Sequence, residues 1–155
     1  AIREDDTGGT LHDRLAEVGA KLLVKAVAAI AGGTATRTEQ RESEASYARK
    51  LSKQDGRIDW SRPARETFNR IRAFNPWPGS FCTAPGAGVL KVLRARIESG
   101  AGEPGQVLEA VGDGPLVATA DLALRLVEVQ PEGRKAMAGS AFLNGHALKK
   151  GDRLT

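Results

Sequence analysis

The sequence is poor in the residue types on which disulfides, metal sites and nucleophilic catalysis depend. It has one cysteine, Cys82, which excludes an internal disulfide and fits a reducing compartment. Phe81 and Thr83 place Cys82 in a predicted strand, so we expect a buried, unreactive thiol. The two histidines, His12 and His146, lie far apart and belong to no metal or catalytic motif. We therefore expect no metal ligand and no catalytic residue in this chain.

Long hydrophobic runs are also missing. No apolar run reaches the roughly 20 residues that cross a bilayer, and no signal peptide is recognisable. The sequence thus predicts a soluble, cytoplasmic protein with no membrane partner. Aromatic residues make up only 5% of the chain, so the core must consist mainly of leucine, valine and alanine. The chain begins with Ala1 rather than methionine, from which we expect a fragment or a processed product.

Charge is unevenly distributed along the 155 residues, whose net charge is +4. Residues 1–60 hold ten basic and ten acidic side chains, whereas residues 61–155 hold thirteen basic and nine acidic ones. The second part therefore carries the whole positive excess. A basic excess of this size hints at a polyanionic partner.

A long amphipathic helix is predicted near the start of the chain, with a possible break at Gly19 and an end at Gly32–Gly33. Its apolar residues recur every three or four positions: Leu11, Leu15, Val18, Leu22, Ala26 and Ile30. Such a stripe needs a surface to pack on. The polar linker at 34–57 offers little, so we expect the partner surface to lie outside this chain. Within the linker, the pattern at 46–53 predicts a short helix.

A second, basic helix is predicted between Trp60 and Trp77, and we expect both tryptophans to be buried. Ser61 is the expected N-cap, because its hydroxyl can accept a hydrogen bond from a first-turn amide. Asn75–Pro76 should end the helix, since the residue before proline disfavours the α region. The apolar face of this helix consists of Ala64, Phe68 and Ile71.

Short β-rich segments separated by glycine-containing turns follow. They predict a mainly β fold with a small OB-like barrel, closed after a helical turn at 140–144 by a last strand at 148–154. A shift of the alternation near Val92 and Leu93 predicts a bulge or strong coiling of the strand. The predicted strands before the helical turn are 80–84, 89–97, 106–111, 116–120 and 122–130.

Four motifs carry a resemblance to a known family. Ile58-Asp-Trp, followed by Ile71-Arg-Ala-Phe-Asn-Pro-Trp-Pro-Gly79, resembles the methionyl-tRNA formyltransferases. Tyr47-Ala-Arg-Lys-Leu-Ser-Lys53 is similar to the linker of that family, and Gln130-Pro-Glu-Gly-Arg-Lys-Ala-Met137 to a late loop. Leu11-His-Asp-Arg-Leu-Ala16 looks like the last helix of the catalytic domain. The matches occur in family order and cover only the C-terminal half of such an enzyme.

The resemblance implies three parts. Residues 1–33 would be the terminal helical piece left from an α/β formyltransferase domain, 34–60 a basic linker, and 61–155 the OB-like barrel. The family uses Asn, His and Asp in the folate-binding domain for catalysis, and these would precede Ala1. Hence no cofactor is expected in this stretch, 10-formyltetrahydrofolate being the co-substrate of the whole enzyme. The implied partners are the initiator methionyl-tRNA and the missing catalytic domain, in an enzyme expected to be monomeric and, by family, a one-carbon group transferase.

Basic residues of the linker, the second helix and the late loop are the predicted tRNA contacts, because cationic groups along one face suit phosphates along an RNA backbone. They are Arg49, Lys50, Lys53, Arg57, Arg65, Arg72, Arg134 and Lys135. Ordinary surface charge is the alternative, and we favour it for Lys149 and Lys150.

Two other functions stay open. The chain could be the barrel of a relative that formylates another amine, such as a sugar nucleotide, in which the barrel is structural. It could also be a freestanding RNA-binding module, although the unpartnered helix at 10–31 argues against that. The basic stretches 47–53 and 133–137 favour tRNA.

Overall fold

The computed structural model describes all 155 residues and shows a six-stranded antiparallel sheet with three α-helices. The helices are α1 (Gly8–Ala31), α2 (Ala64–Ala73) and α3 (Gly139–Gly145). The strands are β1 (Ser80–Ala84), β2 (Gly88–Glu98), β3 (Val107–Val111), β4 (Gly114–Ala118), β5 (Ala123–Pro131) and β6 (Met137–Ala138). The prediction of a mainly β fold is confirmed, and the five longer strands lie close to their predicted positions.

The sheet is open and barrel-like, in the order β1-β2-β5-β4-β3, with β6 paired to β5. The segment 151–155 bridges the two edge strands. Thr155 exchanges backbone hydrogen bonds with Thr83 of β1, and Asp152 accepts one from Val107 of β3. The last strand predicted at 148–154 is absent, and this part of the chain forms only one isolated bridge, Gln106 with Arg153. It nevertheless satisfies backbone groups that would otherwise be exposed at both edges.

The bulge predicted in the long strand β2 is confirmed. The pairing of β2 with β5 shifts register between Val92 and Arg94 and again between Arg94 and Ala95. One extra residue in a strand increases its local twist and lets it bend. β2 can therefore pair with β1 at one end and follow β5 along its whole length.

The core lies on the inner face of the sheet and under α2. Leu90, Val92, Leu124 and Leu126 are fully buried there, as is Phe142 of α3. Cys82 is buried as expected, and burial raises the pKa of its thiol to about 12. The thiol is therefore protonated near neutral pH and a poor nucleophile.

Arg125 is a buried cation on β5. Its guanidinium donates to Glu98 Oε2 at 2.8 Å and to Glu109 Oε2 at 2.7 Å. It also donates to the backbone carbonyl oxygens of Val111 and Gly114. These contacts join β2, β3, β4 and β5 through a single side chain.

The start of α2 differs from the sequence prediction. Ser61 does not cap the helix, since its amide and hydroxyl both donate to Asp59. The first-turn amide of Ala64 instead donates to Asp121 Oδ1 at 2.7 Å. That hydrogen bond holds the pKa of Asp121 below its usual value. Asp121, which lies between β4 and β5, thus accepts the first-turn hydrogen bond that was expected to go to Ser61.

The two tryptophans differ in burial. Trp60 is buried as predicted, with 4% of its surface exposed, but Trp77 is 54% exposed. The prediction that Trp77 is buried is therefore wrong for this chain. The short helix predicted at 46–53 is absent as well; 3₁₀ turns occur at Glu42–Glu44 and Lys53–Gly56, and Tyr47 is exposed.

Helix α1 runs unbroken through Gly19 and buries none of its residues. Thr7 caps its start, and the amide of Gly9 donates to the carbonyl oxygen of Asn75. Beyond this attachment its apolar side chains face solvent, with Leu15, Val18, Leu22 and Ile30 each more than half exposed. Contiguous apolar surface of this kind marks an interaction site.

We expect the apolar face of α1 to make this chain self-associate. Changing Leu15, Leu22 and Ile30 to glutamine should reduce association measured by analytical ultracentrifugation and leave the melting temperature nearly unchanged, since none is buried. Val111→Gln, at an exposed position on β3, is the matched control. Association that persists in the triple variant would show that another surface makes the contact.

Candidate nucleic-acid interface

A row of paired residues crosses the solvent face of the sheet edge. Arg57 forms a parallel bridge with Phe81 of β1. Phe81 pairs with Lys91 of β2, and Lys91 pairs with Gln130 of β5. Directly paired residues project to the same face of a sheet. Arg57 and Lys91 are both exposed, so the row presents two cations on one surface.

The basic loop after β5 continues this row. Gln130 donates through Nε2 to the carbonyl oxygen of Arg134 at 2.9 Å, and the amide of Arg134 donates to Pro131. Arg134 and Lys135 are exposed and form no ion pair. A depression of about 300 Å³ beside the loop is lined by Val89, Lys91 and residues 130–133. The loop is therefore held at the end of the row.

The linker reaches the other end of the row through the turn Lys53–Gly56. Asp55 accepts hydrogen bonds from the Ser52 amide at 2.7 Å and from the guanidinium of Arg49. The contact with Arg49 is the main reason that the pKa of Asp55 lies well below its usual value. The charge of Arg49 is thus balanced by Asp55, whereas Lys50 and Lys53 are exposed and have no carboxylate partner.

Arg65 and Arg72 are engaged elsewhere. Arg65 is ion-paired with Glu4, and Arg72 donates to the carbonyl oxygens of Arg3 and Asp6 at 3.0 and 3.1 Å. Their guanidinium carbons lie 5.4 and 5.8 Å from the ring centroid of Phe68. Arg65 and Arg72, both predicted tRNA contacts, therefore bind the segment before α1 and do not belong to the row of paired residues.

We name five of the predicted residues together with Lys91 the basic edge. Its members are exposed and carry no ion pair: Lys50, Lys53, Arg57, Lys91, Arg134 and Lys135. Sequence reasoning missed Lys91 because only the strand register places it between Arg57 and the late loop. The available signal was its polar position in an otherwise alternating strand. Spaced cations on one surface are suited to bind consecutive phosphates of a nucleic acid.

Other chemistry finds little support in the geometry. No three His, Cys, Asp or Glu side chains come together as a metal site. His146 lies against the ring of Phe142 at a centroid distance of 4.4 Å, and its Nδ1 meets the carbonyl oxygen of Phe142. None of the helices combines the length and the apolar character needed to cross a membrane.

Comparison with known families matches residues 50–147 to the formyl transferase C-terminal domain. The methionyl-tRNA formyltransferase of Pseudomonas putida strain GB-1 is 49% identical over 148 residues, which are 96% of this chain and 47% of that protein. The enzyme of the same name from Pseudomonas paraeruginosa strain DSM 24068 / PA7 is 48% identical over 143 residues, covering 92% of this chain and 46% of that protein. The chain thus spans about half the length of these relatives.

Solved structures show a similar fold. A variant of HypX from Aquifex aeolicus superposes with a TM-score of 0.65 at 19% identity, covering 92% of this chain and 26% of that one. HypX in complex with tetrahydrofolic acid gives a TM-score of 0.58 at 20% identity, covering 79% of this chain and 22% of that one. At this identity the likeness concerns the fold alone.

Proposed function

The chain belongs to the family of formyl transferase C-terminal domains, and from that premise we propose that it is the tRNA-holding part of a methionyl-tRNA formyltransferase. The complete enzyme would transfer a formyl group from 10-formyltetrahydrofolate to the amino group of methionyl initiator tRNA in the cytoplasm. The observation that carries the role in RNA binding is the basic edge. Its six exposed cations run from the linker, across β1 and β2, to the loop after β5.

The division into three parts belongs to the same proposal. Residues 1–33 would end the catalytic domain, 34–60 would be the linker, and 61–155 the OB-like barrel. The exposed face of α1 supports this division, because the helix buries nothing within the chain and the relatives are about twice as long. The catalytic groups and the folate site would lie in the other half, so we expect no formyl transfer by these 155 residues alone.

The basic edge should act on tRNA through phosphates. Each phosphate contact contributes roughly 0.7–0.9 to the slope of log K against log salt. Replacing Lys50, Lys53, Arg134 and Lys135 together by alanine should therefore flatten the slope by up to about 3.6 units. Fluorescence anisotropy with initiator tRNA across a salt series measures it.

Lys149→Ala with Lys150→Ala is the matched control, since both lysines are exposed and lie outside the basic edge. This double change should flatten the slope of log K against log salt less than the quadruple change does. In the full-length enzyme the quadruple change should lower kcat/KM for aminoacylated initiator tRNA and leave folate binding unchanged. A wild-type slope in the quadruple variant would place the RNA surface elsewhere. Binding of a sugar nucleotide instead of tRNA would favour the alternative, a formyltransferase that acts on another amine.

A further inference from the structure

Trp77 exposes a large apolar ring to solvent. The chain has only seven aromatic residues, and Trp77 is 54% exposed while Trp60 lies in the core. An indole combines a broad apolar face with a single N–H, so it is suited to stack on another planar group. More than half of the residue is therefore free to contact a partner.

The loop that carries Trp77 is held on both sides. Pro76 and Pro78 restrict the backbone at each neighbouring position. The amide of Gly79 donates to the carbonyl oxygen of Phe74 at 2.9 Å, and the carbonyl oxygen of Asn75 accepts from α1. A ring presented by a rigid loop loses little conformational entropy when it binds a partner.

The loop lies beside one end of the basic edge. Gly56 approaches the backbone of Gly79 so closely that a methyl group there would overlap its carbonyl oxygen. Gly79 is two residues from Trp77, a distance of at most about 7 Å along the chain. Gly56 directly precedes Arg57 and ends the turn that begins with Lys53. The loop that carries Trp77 is therefore in contact with the turn that begins at Lys53 and directly precedes Arg57, and the acidic residue of that turn, Asp55, is already ion-paired.

We propose that Trp77 is a stacking platform for an unpaired base of an RNA strand whose phosphates are bound by the basic edge. This rests on the proposed function and adds to it a preference for single-stranded over duplex RNA. An aromatic face beside cations binds unstacked bases of any sequence, whereas the bases of a duplex are stacked on each other and unavailable.

The test compares three chains: the wild type, Trp77→Ala and Trp77→Phe. The probes are a fluorescein-labelled single-stranded octamer of adenylate and a blunt RNA duplex with the same number of phosphates. Stacking on an aromatic residue contributes enough that Trp77→Ala should weaken octamer binding about tenfold or more. Binding of the duplex should stay within about twofold, and Trp77→Phe should retain most of the octamer affinity.

A second readout is tryptophan emission. The octamer should quench the emission of the wild type, and Trp77→Phe, which keeps only buried Trp60, should show no quenching. Val111→Ala on the far edge strand is the control for an exposed apolar position. The melting temperature of each variant shows whether its fold is intact.

The outcomes separate the two proposals. If Trp77→Ala binds the octamer like the wild type while the quadruple lysine and arginine variant loses its salt slope, the stacking proposal is overturned and the proposed function stands. Acrylamide quenching without RNA gives a second test. If Trp77 is shielded from acrylamide in the full-length enzyme but not in this chain, the stacking proposal is also overturned, because the other half of the enzyme then covers the ring. A loss of affinity for octamer and duplex alike would also overturn it.

Discussion

Replacing Trp60 by alanine is expected to lower the free energy of unfolding by about 3–5 kcal/mol, the usual cost of truncating a large aromatic residue in a core. Trp60 is 4% exposed, belongs to the core cluster and packs against Gly105. Trp77→Ala should change the free energy of unfolding by no more than about 0.5 kcal/mol, because more than half of that side chain already faces solvent. Urea denaturation of both variants measures the difference.

Trp60→Phe is the control for the first change. Phenylalanine keeps most of the ring volume and removes an Nε1–H that has no acceptor within the chain, so we expect a smaller loss of stability than with alanine. Equal losses for Trp60→Ala and Trp77→Ala would contradict the assignment of one ring to the core and the other to the surface.

Replacing Arg125 by methionine is expected to lower the free energy of unfolding by about 2–4 kcal/mol. Methionine fills part of the space but removes the donor that Glu98, Glu109 and the backbone carbonyl oxygens of Val111 and Gly114 share. Arg96→Met is the matched control. Arg96 also pairs with Glu98, yet its side chain is 56% exposed, and exposed ion pairs contribute roughly 0–1 kcal/mol. A variant of Arg125 as stable as that of Arg96 would show that the buried network contributes little.

The same substitution should change how stability depends on pH. Hydrogen bonding to Arg125 is the main reason that the pKa of Glu98 lies below its usual value. A carboxyl with a lowered pKa in the folded state stabilises the fold above its unfolded pKa of about 4.3, and this contribution is lost as pH falls. Between about pH 5 and 3 the wild type should therefore lose more stability than Arg125→Met. Parallel stability curves for the two chains over this range would contradict the linkage.

Much of the fold was predictable because it depends on local pattern. Strand β1 has its predicted bounds, and the phase shift near Val92 correctly indicated the bulge in β2. Alternation of side chains along a strand is a property of the backbone itself, so it is visible in the sequence before any packing is known. The apolar face of α2 was readable for the same reason, with Ala64 and Ile71 buried.

The errors concern partners that are distant in sequence. The amide at the start of α2 bonds to Asp121, 57 residues away, and not to adjacent Ser61. Trp77 is a large apolar residue in a proline-rich turn, which suggests burial. The exposure of its ring depends instead on how the loop contacts α1 and the turn at Gly56. The segment 151–155 bridges two edges rather than forming a strand, because Gly151 and Asp152 bond to Val107 of β3 whereas Thr155 bonds to Thr83 of β1.

The candidate interface divides in the same way. The sequence alone predicts the cations of the linker and the late loop as RNA contacts, and the order of its motifs identified the family that the comparisons confirm. Only the tertiary structure decided which cations share a surface. The strand register aligns Arg57, Lys91 and the loop after β5, while ion pairs with Asp55 and Glu4 occupy Arg49 and Arg65. The reason is that charge and local periodicity are written residue by residue, whereas cross-strand neighbours and ion-pair partners exist only once distant segments pack together.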